Sequence, residues 1–488
     1  NSLYVDISGM LWIGTLGGGV NKLNLSAKKF ELYQNAPWQE NAISVDQVIT
    51  FYEDENSFLW IGLRGGGINV LDRKTSEMRH LNQSENDRLH KANVSSFFKD
   101  RNGRLWIGTW HGLYILDQEE QGRILNGQPI EYDVLLPDIS VEKIIEDYEG
   151  HLWFSTTNGL VEYVPGADDF YAGDFVHYRH GNFNANTLSD DFIRDIYAEP
   201  EAVDGAKVIW VGTRNGLNRM SFRRGGVKVT RMFHDPADRT SLPGNFISVI
   251  HQGQNGHLWI AALGGGLCKM VEGRNGKVKA RFQWINDESG LLNRDVETLL
   301  EDDQGRFWLG GHGITRFDPQ NNEFKYYDVS DGLQSNSFKV WAAYKNAQGE
   351  MVFGGTDGFN IFHPDAISDN PVVPQLVFTG FKVSNHELKA GRRFRGRMLL
   401  DNNVVVTKEI TLPYSMNNIS IHFAALHFTS PSKNKYRFKL EGADNNWLLS
   451  SGASAYSNYT YFNRGNYKFI SYASNNDNVW SEEPIELN

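Results

Sequence analysis

The stretch that decides the fold is Leu105-Trp106-Ile107-Gly108-Thr109, one of eight related strings in a chain of 488 residues. Its tryptophan recurs so that successive copies lie 46 to 57 residues apart. The other seven strings are Leu11-Trp12-Ile13-Gly14-Thr15, Leu59-Trp60-Ile61-Gly62, Leu152-Trp153-Phe154, Ile209-Trp210-Val211-Gly212-Thr213, Leu258-Trp259-Ile260, Phe307-Trp308-Leu309-Gly310 and Val352-Phe353-Gly354-Gly355. A period of that length holds four short strands with their turns, which predicts the radially repeated four-stranded sheets of a β-propeller.

The repeated string is apolar at consecutive positions, which is typical of a strand that is covered on both faces. Each blade of a propeller is covered in this way by its two neighbours. We therefore interpret the tryptophans as wedges between blades and not as ligand-stacking groups. The glycines at positions 14, 62, 108 and 212 would let the next sheet approach closely.

Composition excludes several classes of function. The net charge of −11 has no basic block to hold phosphates, so we expect no nucleic-acid partner. The single cysteine, Cys268, excludes an internal disulfide and the usual zinc spacings, and we expect it in the core. No segment approaches the roughly 18 apolar residues of a membrane helix. The sequence predicts no metal site and no cofactor.

The turn after each repeated string varies among the copies. In four antiparallel strands, this turn and the connection into the next repeat lie on one face of the disc, here called face A. Any one of these variable residues is typical of a solvated turn. Taken together around face A, they form the surface that we hypothesise to recognise a ligand. Arginine, histidine, tryptophan, asparagine and aspartate suit a sugar, because an indole stacks and planar groups bind hydroxyls. The candidate ligand-binding residues are Arg64, Trp110, His111, Asn158, Arg214, Asn215, Arg294, His312 and Asp357.

The repeat stops after Phe362-His363-Pro364-Asp365, and Asn370-Pro371-Val372-Val373-Pro374 is interpreted as a linker. The isolated alternating strands that follow predict an antiparallel β-sandwich of the immunoglobulin or fibronectin type, with Trp447 and Trp480 as core anchors. The expected fold is thus all-β: a propeller over residues 41–370 and a sandwich over residues 371–488. Residues 1–40 are expected to be a remnant of a preceding propeller or a ring-closing repeat. Seven blades are expected, with eight as the alternative.

Several strings in the sandwich region accompany the Leu-Trp-Ile-Gly-Thr repeats. They are Asn418-Ile419-Ser420-Ile421, Tyr436-x-Phe438-x-Leu440-Glu441-Gly442-x-Asp444-x-x-Trp447, Tyr459, Gly465-x-Tyr467-x-Phe469 and Ala473-x-Asn475-x-Asp477-x-x-Trp480. Together they resemble the regulator-propeller (Reg_prop) repeats and the Y-Y-Y domain of bacterial membrane-bound sensors. The best-known members of that family are hybrid two-component systems of gut bacteria. This chain has eight repeat strings, where a complete pair of seven-bladed propellers would have fourteen, and it contains no kinase.

The resemblance implies the periplasmic, ligand-sensing region of an inner-membrane histidine kinase and response regulator. It implies an oligosaccharide ligand from glycan breakdown, a homodimer through the C-terminal sandwich, and a membrane helix just after the C-terminus. The chain itself is then not an enzyme. The family has no shared ligand-binding motif. The assignment of candidate binding residues to face A therefore rests only on the variation of its turns among the repeats.

Two alternatives compete with sensing: a propeller glycoside hydrolase or lyase, and a protein-interaction scaffold. Paired acids such as Asp302 and Asp303 are adjacent in sequence, so in a strand they would point to opposite faces and could not flank one bond. The chain also lacks the GxSxG and HExxH motifs of hydrolases. Acids from different blades could still converge, which keeps the enzyme alternative open.

Overall fold

The computed structural model describes residues 2–24, 30–36, 38–39, 41–81, 88–166, 173–461 and 463–488. The chain divides into two compact units: a larger one, Lys29–Ile367, and a smaller one, which combines Asn1–Lys28 with Ser368–Asn488. The larger unit is therefore a single stretch of chain that interrupts the smaller one. The first three strands, which belong to the smaller unit, are β1 (Ser2–Val5), β2 (Met10–Thr15) and β3 (Gly19–Asn24).

The larger unit is a β-propeller, as the repeats predict. Within the described residues it has seven four-stranded antiparallel sheets, or blades. Blades 1 to 3 are β5 (Val48–Glu53), β6 (Phe58–Leu63), β7 (Ile68–Asp72) and β8 (Glu77–His80); β9 (Val94–Lys99), β10 (Leu105–Thr109), β11 (Gly112–Leu116) and β12 (Asp133–Leu135); and β13 (Val141–Glu146), β14 (Leu152–Thr156), β15 (Gly159–Val164) and β16 (Asp174–Tyr178). A short helix, α1 (Gln118–Leu125), lies between β11 and β12.

The later blades follow the same plan. Blades 4 to 6 are β17 (Ile193–Ala198), β18 (Lys207–Thr213), β19 (Gly216–Arg223) and β20 (Gly226–Met232); β21 (Ile247–Gln252), β22 (Leu258–Ala262), β23 (Gly266–Glu272) and β24 (Arg281–Ile285); and β25 (Thr298–Glu301), β26 (Phe307–Gly311), β27 (Gly313–Asp318) and β28 (Glu323–Tyr327). Blade 7 combines β29 (Phe338–Lys345), β30 (Met351–Gly355) and β31 (Gly358–Phe362) with β4 (Glu31–Tyr33) from the start of the unit.

The ring closes with seven blades, so the prediction of seven is confirmed over the alternative of eight. The first strand of every blade contacts the first strand of the next, and β29 contacts β5. These seven strands therefore surround a central channel. Strand β4 pairs antiparallel with β31 and completes blade 7. Because Phe30 and residues 31–33 belong to this blade, the propeller begins before residue 41, where the sequence placed its boundary.

The tryptophans fill the seams between blades, as predicted. Trp60, Trp106, Trp153, Trp210, Trp259 and Trp308 are each at most 2% exposed and pack against residues of the following blade. The glycines beside them allow this approach: a Cβ on Gly212 would lie 2.7 Å from the side chain of Ile247 in blade 5. Burial of six large aromatic surfaces at the seams stabilises the closed ring.

A buried or half-buried carboxylate accepts a hydrogen bond from most of these indoles, and also from Trp12 outside the seven blades. The first aspartate of the acidic turn accepts the indole N–H six residues later, and it also accepts backbone N–H groups of its own turn. The pairs, with their O···N distances, are Asp6–Trp12 (2.7 Å), Asp54–Trp60 (3.3 Å), Asp100–Trp106 (3.0 Å), Asp147–Trp153 (2.8 Å) and Asp302–Trp308 (2.9 Å). In blade 4, Glu199 replaces the aspartate at 2.9 Å from Trp210 Nε1. In blades 1 to 4 and 6, a carboxylate therefore fixes the orientation of the indole between the blades.

Blade 5 lacks this carboxylate. Gly253 stands where blades 1, 2, 3 and 6 have aspartate, and Nε1 of Trp259 is buried without a hydrogen-bond acceptor among the described residues. A buried donor without a partner costs about 1–3 kcal/mol. The backbone of the turn is otherwise that of its counterparts, since Gly253 N–H donates to His257 and its carbonyl accepts from Gly256.

We expect Gly253→Asp to raise the free energy of unfolding of the propeller by about 1 kcal/mol, because the new carboxylate would accept the Trp259 indole N–H. A Cβ at this position lies 3.1 Å from Trp259 Nε1. Urea denaturation followed by tryptophan fluorescence would measure the gain. Gly253→Ala is the matched control, since it adds the Cβ without the carboxylate. Equal stability of the two variants would contradict the prediction.

The smaller unit contains a β-sandwich, as predicted. Its strands are β32 (Gln375–Val383), β33 (His386–Glu387), β34 (Arg393–Phe394), β35 (Arg397–Met398), β36 (Asn418–Leu426), β37 (Lys435–Glu441), β38 (Leu448–Ser451), β39 (Ala455–Thr460), β40 (Lys468–Ser474) and β41 (Ile485–Leu487). One sheet has the order β33-β32-β36-β39 and the other β38-β37-β40-β41. Alternate residues of β37, namely Tyr436, Phe438 and Leu440, point into the core between the sheets.

The prediction that Trp447 and Trp480 anchor this core is wrong. Trp447 is 41% exposed, and neither residue belongs to the buried cluster between the sheets. Both rings instead stack around the guanidinium of Arg437, whose Cζ lies 5.8 Å from the Trp447 ring and 5.2 Å from the Trp480 ring. Arg437 alternates with the core residues of β37, so its side chain and these tryptophans lie on the outer face of the sheet.

Strands β1 to β3 form a three-stranded sheet in the same unit. It repeats the blade plan, including the hydrogen bond from Trp12 to Asp6, and the Trp12 ring lies 5.9 Å from that of Phe428. Much of its apolar surface is open: Leu3 and Val20 are each 71% exposed. This sheet is therefore a partial blade outside the ring. Among the described residues, no helix has the length and apolarity needed to cross a bilayer.

Candidate functional site

All nine predicted ligand-binding residues lie in connections that reach face A. Eight stand in turns between the second and third strands of a blade, and Arg294 precedes β25. Trp110 is half-buried, and the others are exposed. Their exposure leaves these side chains available to a ligand. Their role in binding stays a prediction.

A threonine at the end of the second strand shapes three of these turns. Its hydroxyl accepts the backbone N–H two residues later and donates to the glycine carbonyl that closes the turn. The accepted donors are His111 N (3.1 Å from Thr109), Asn158 N (3.0 Å from Thr156) and Asn215 N (3.1 Å from Thr213). The threonine therefore fixes the backbone and leaves the two variable side chains free to project.

Two of the nine candidates come together. The guanidinium of Arg64 lies over the indole of Trp110, with Cζ 5.1 Å from the ring centroid, and its Nη1 donates to Gln47 Oε1 at 3.3 Å. The pair bridges the turns of blades 1 and 2. An open hollow of about 630 Å³ adjoins it, lined in part by Arg64, Gln47 and Asp46. A charged fork beside an aromatic face can hold a polar ligand.

The remaining candidates are spread around the rim. Arg214 Nη2 lies 3.5 Å from Asp190 Oδ2, and Arg294 forms an exposed ion pair with Asp287. His312 bridges to Ser337, and the backbone of Asp357 is held by the side chain of Gln334. Apart from neighbours in sequence, no hydrogen bond, ion pair or cation–π contact joins any two candidates other than Arg64 and Trp110 in the described part of the chain.

A second group of residues, which the sequence did not reveal, crosses the central channel. It consists of Phe192, Arg194, Phe246 and Trp341, here called the channel-mouth group. The Arg194 Cζ lies 4.4 Å from the ring centroid of Trp341, 5.6 Å from Phe246 and 5.7 Å from Phe192. Blades 4 and 7, which carry Arg194 and Trp341, are not neighbours in the ring. The contact therefore spans the channel, near the end where the first strands begin.

Backbone bulges place Arg194 and its equivalents at this end of the channel. In five blades, the second residue of the first strand has no partner on the second strand: Ile49, Ser95, Glu142, Arg194 and Ser248. Blade 7 has a wider irregularity between Phe338 and Ala343, and Trp341 lies within it with φ of +65°. A left-handed backbone is strained for a bulky residue, and such strain is often found at functional sites.

Arg194 is a half-buried cation with unmet hydrogen-bonding capacity. Its Nε is buried, and the described residues offer it no acceptor. Burial lowers the pKa of Arg194, while the nearby carboxylates of Glu142 and Glu297 oppose that shift. Burial in turn raises the pKa of Glu142 and of Glu297. The indole N–H of Trp341 donates to the Arg194 carbonyl at 2.8 Å, so the ring covers the guanidinium.

Sequence reasoning missed this group because it searched turns and ignored strand starts. A signal exists: the equivalent position of each blade is Ile49, Ser95, Glu142, Arg194, Ser248, Glu297 and Lys339, a set without a shared residue type. Variation inside an otherwise fixed strand is unusual for a packing position. Of these residues, Arg194 contacts an aromatic ring across the channel, whereas the hydroxyls of Ser95 and Ser248 donate to backbone carbonyls of the following blade.

The acids considered for catalysis have structural roles. Asp302 is buried and bonds Trp308, whereas its neighbour Asp303 is exposed and pairs with Lys345 at 2.7 Å. One group of described residues, Asp147, Glu149 and His151, has metal-ligand spacing. The ammonium of Lys207 already lies 3.1 Å from Asp147 and 3.0 Å from Glu149, so a protein cation fills that position.

Two family profiles match parts of the chain. Residues 427–488 match the Y_Y_Y domain, and residues 89–111 match the two component regulator propeller repeat. The chain thus carries both modules that its motifs predicted. The profiles cover the last strands of the sandwich and part of blade 2.

Similar proteins include a sensor kinase and a solved sensor domain. "Histidine kinase P4" of Formosa agariphila is 25% identical over 369 residues, which are 74% of this chain and 25% of that protein. The chain thus spans about a quarter of that relative's length. A crystal structure of the extracellular domain of a hybrid two component system from B. thetaiotaomicron superposes with a TM-score of 0.77 at 23% identity. That match covers 100% of this chain and 60% of the other. It establishes the shared fold.

Proposed function

Because one chain combines a two-component regulator propeller with a Y_Y_Y domain, we propose that it is the periplasmic sensing region of a membrane-bound hybrid two-component histidine kinase and response regulator. The observation that carries this proposal is the presence of both modules, at residues 89–111 and 427–488. The superposition along the whole chain with an extracellular domain of such a system supports it. In this role the chain binds a ligand and performs no chemistry.

The proposed ligand is an oligosaccharide released from a glycan, bound on face A. The pairing of Arg64 with Trp110 supports this assignment, because an indole face stacks on a sugar ring and a guanidinium donates to its hydroxyls. The other exposed candidates, such as Asn158 and His312, would contact more distant sugar units around the rim. A disc with polar residues on several blades suits an oligomer better than a single small molecule.

Signalling requires that the ligand favour one arrangement of the protein over another, since equal affinity for both shifts nothing. We propose that the sandwich passes this change to a membrane helix that follows it, in a homodimer formed through the sandwich. We propose further that β1 to β3 are the inner strands of the last blade of a preceding propeller. Their blade-like pairing and the open surface of Leu3 and Val20 support that reading.

A thermal-shift screen against oligosaccharide fragments of plant, algal and host glycans tests the proposal. A ligand at a hundred times its Kd adds about 2.7 kcal/mol of stability and should raise the Tm clearly. The absence of a shift with every fragment would favour a protein-interaction scaffold. New reducing ends or unsaturated products during incubation would instead indicate a glycoside hydrolase or lyase.

Trp110→Ala is expected to weaken binding of an oligosaccharide found in that screen by about tenfold, because a sugar loses its stacking surface. Isothermal titration calorimetry would measure the Kd of wild type and variant. Tyr148→Ala is the matched control, since Tyr148 is 39% exposed in an acidic turn on the opposite face. An equal effect of both substitutions would place the ligand elsewhere.

A further inference from the structure

We propose that the channel-mouth group binds the carboxylate of an acidic sugar unit, such as a uronic acid, through the guanidinium of Arg194 after the indole of Trp341 moves aside. This inference rests on the proposed function and narrows its ligand class. It assigns a binding residue and a moving part that lie at the channel mouth and outside the variable turns.

The Arg194 guanidinium has hydrogen-bond donors that no protein acceptor among the described residues satisfies. Its Nε–H is buried without an acceptor in the part of the chain that the structure describes, and no ion pair involves its guanidinium there. Glu142 and Glu297 act on it only from a distance. A planar guanidinium offers two parallel N–H groups, which match the two oxygens of a carboxylate. A ligand carboxylate would therefore supply the acceptors that the protein withholds.

Aromatic rings line the space around Arg194. Phe192 and Phe246 flank the guanidinium of Arg194, and Arg214 lies on the same Phe192 ring with its Cζ at 5.6 Å. An aromatic wall accepts the apolar face of a sugar ring, and the second arginine reaches from the rim toward the mouth. The mouth is thus continuous with the variable turns of face A, along which a longer oligosaccharide would extend.

The residue that covers Arg194 has a strained backbone. Trp341 has φ of +65° and lies in the broadest irregularity of any first strand. Its ring covers one side of the Arg194 guanidinium, whose Nε is buried, and in this proposal a ligand carboxylate reaches Nε after the indole moves. Movement of the indole breaks the hydrogen bond from Trp341 Nε1 to the Arg194 carbonyl and allows the backbone at Trp341 to relax. Binding is thereby coupled to a change in β29, which a sensor needs.

The charge around the mouth favours a ligand with a single carboxylate there. Glu142 of the adjacent blade 3 and Glu297 of blade 6 both act electrostatically on Arg194, and Lys339 of blade 7 acts on Glu297. These charges nearly cancel before a ligand arrives. The two glutamates would repel a second anionic group at the mouth itself, whereas Arg194 compensates the charge of one carboxylate there.

Titration calorimetry with tetragalacturonate and tetraguluronate, each compared with its carboxyl-reduced neutral form, tests this inference on the whole chain. We expect an acidic tetrasaccharide to bind, its neutral form to bind much more weakly, and Arg194→Gln to weaken acidic binding by about 10- to 100-fold. Arg224→Gln, in an exposed turn on the opposite face, should change nothing. Trp341→Ala should leave affinity unchanged or raise it, since it removes the cover.

Several outcomes would overturn the inference. Binding of neutral tetrasaccharides alone would leave the proposed function standing and refute the carboxylate assignment. A sulfated neutral tetrasaccharide that binds while both uronates fail would refute it equally. If Arg194→Gln binds the acidic tetrasaccharides as tightly as wild type, Arg194 is not the binding residue. If Trp341→Ala binds them more weakly than wild type, the indole does not move aside for the ligand. If Arg194→Gln fails to fold, Arg194→Lys retains the charge without the planar fork, and its affinity should still fall several-fold.

Discussion

Asp302→Ala is expected to lower the free energy of unfolding of the propeller by about 3 to 5 kcal/mol. The Asp302 side chain is 2% exposed and accepts the indole N–H of Trp308 at 2.9 Å and Nε of Arg306 at 2.6 Å. It also accepts the backbone N–H groups of Gln304 and Arg306. Removal leaves the buried Trp308 indole N–H and Arg306 Nε without this acceptor, although Arg306 Nη2 keeps Asp365, and it loosens the packing between blades 6 and 7.

Urea denaturation monitored by circular dichroism would measure this loss. Asp303→Ala is the control, because Asp303 is adjacent, exposed and engaged only in a surface pair with Lys345. That variant should unfold at nearly the wild-type urea concentration. If both variants lost the same stability, the carboxylate–indole bond would not be what secures the seam.

Gly358→Ala is expected to destabilise the propeller by about 3 kcal/mol or more, because it acts on the closure of the ring. Gly358 has φ of +105°, and a Cβ there would clash with the carbonyl oxygen of Tyr33 in β4. The substitution therefore adds left-handed strain and pushes β4 away from β31. Once β4 leaves, blade 7 exposes Phe359 and Ile361, which are buried in the closed ring.

Limited proteolysis near residues 25–40, together with urea denaturation, would report the release of β4. Gly65→Ala is the matched control: it has φ of +75° and nothing within 4 Å of the added Cβ. It carries the strain of a positive φ without the collision, at a cost of about 1–2 kcal/mol. Similar losses in the two variants would mean that strain alone acts and that β4 tolerates the new methyl group.

The sequence predicted the propeller because its decisive contacts are local and repeated. Each tryptophan fills a seam against the very next blade, so the spacing of Trp60, Trp106 and the others reports the architecture directly. The turn positions on face A followed from strand order alone. An aspartate six residues before most of the tryptophans is also visible in the sequence, but the spacing alone does not show that its carboxylate accepts the indole N–H.

Other features could not be predicted, because they depend on distance and backbone geometry. The contact between Arg194 and Trp341 joins residues 147 positions apart and needs a left-handed residue in a bulge. No local pattern encodes that. Trp447 was misplaced because aromatic size suggested burial, whereas the alternation of Tyr436, Phe438 and Leu440 already fills the sandwich core. The ring-closing strand was visible only as the aromatic pair Phe30 and Tyr33, ahead of the first complete blade.

The pairing of β4 with β31 also has a mechanical consequence. Glu31, where the chain enters the propeller, is the direct partner of Ile361, where it is about to leave. Tension applied through the two connecting segments therefore acts first on three residue pairs, from Glu31–Ile361 to Tyr33–Phe359, and it peels them apart one after another. The other six blades bear no tension until these three pairs of β4 and β31 have separated.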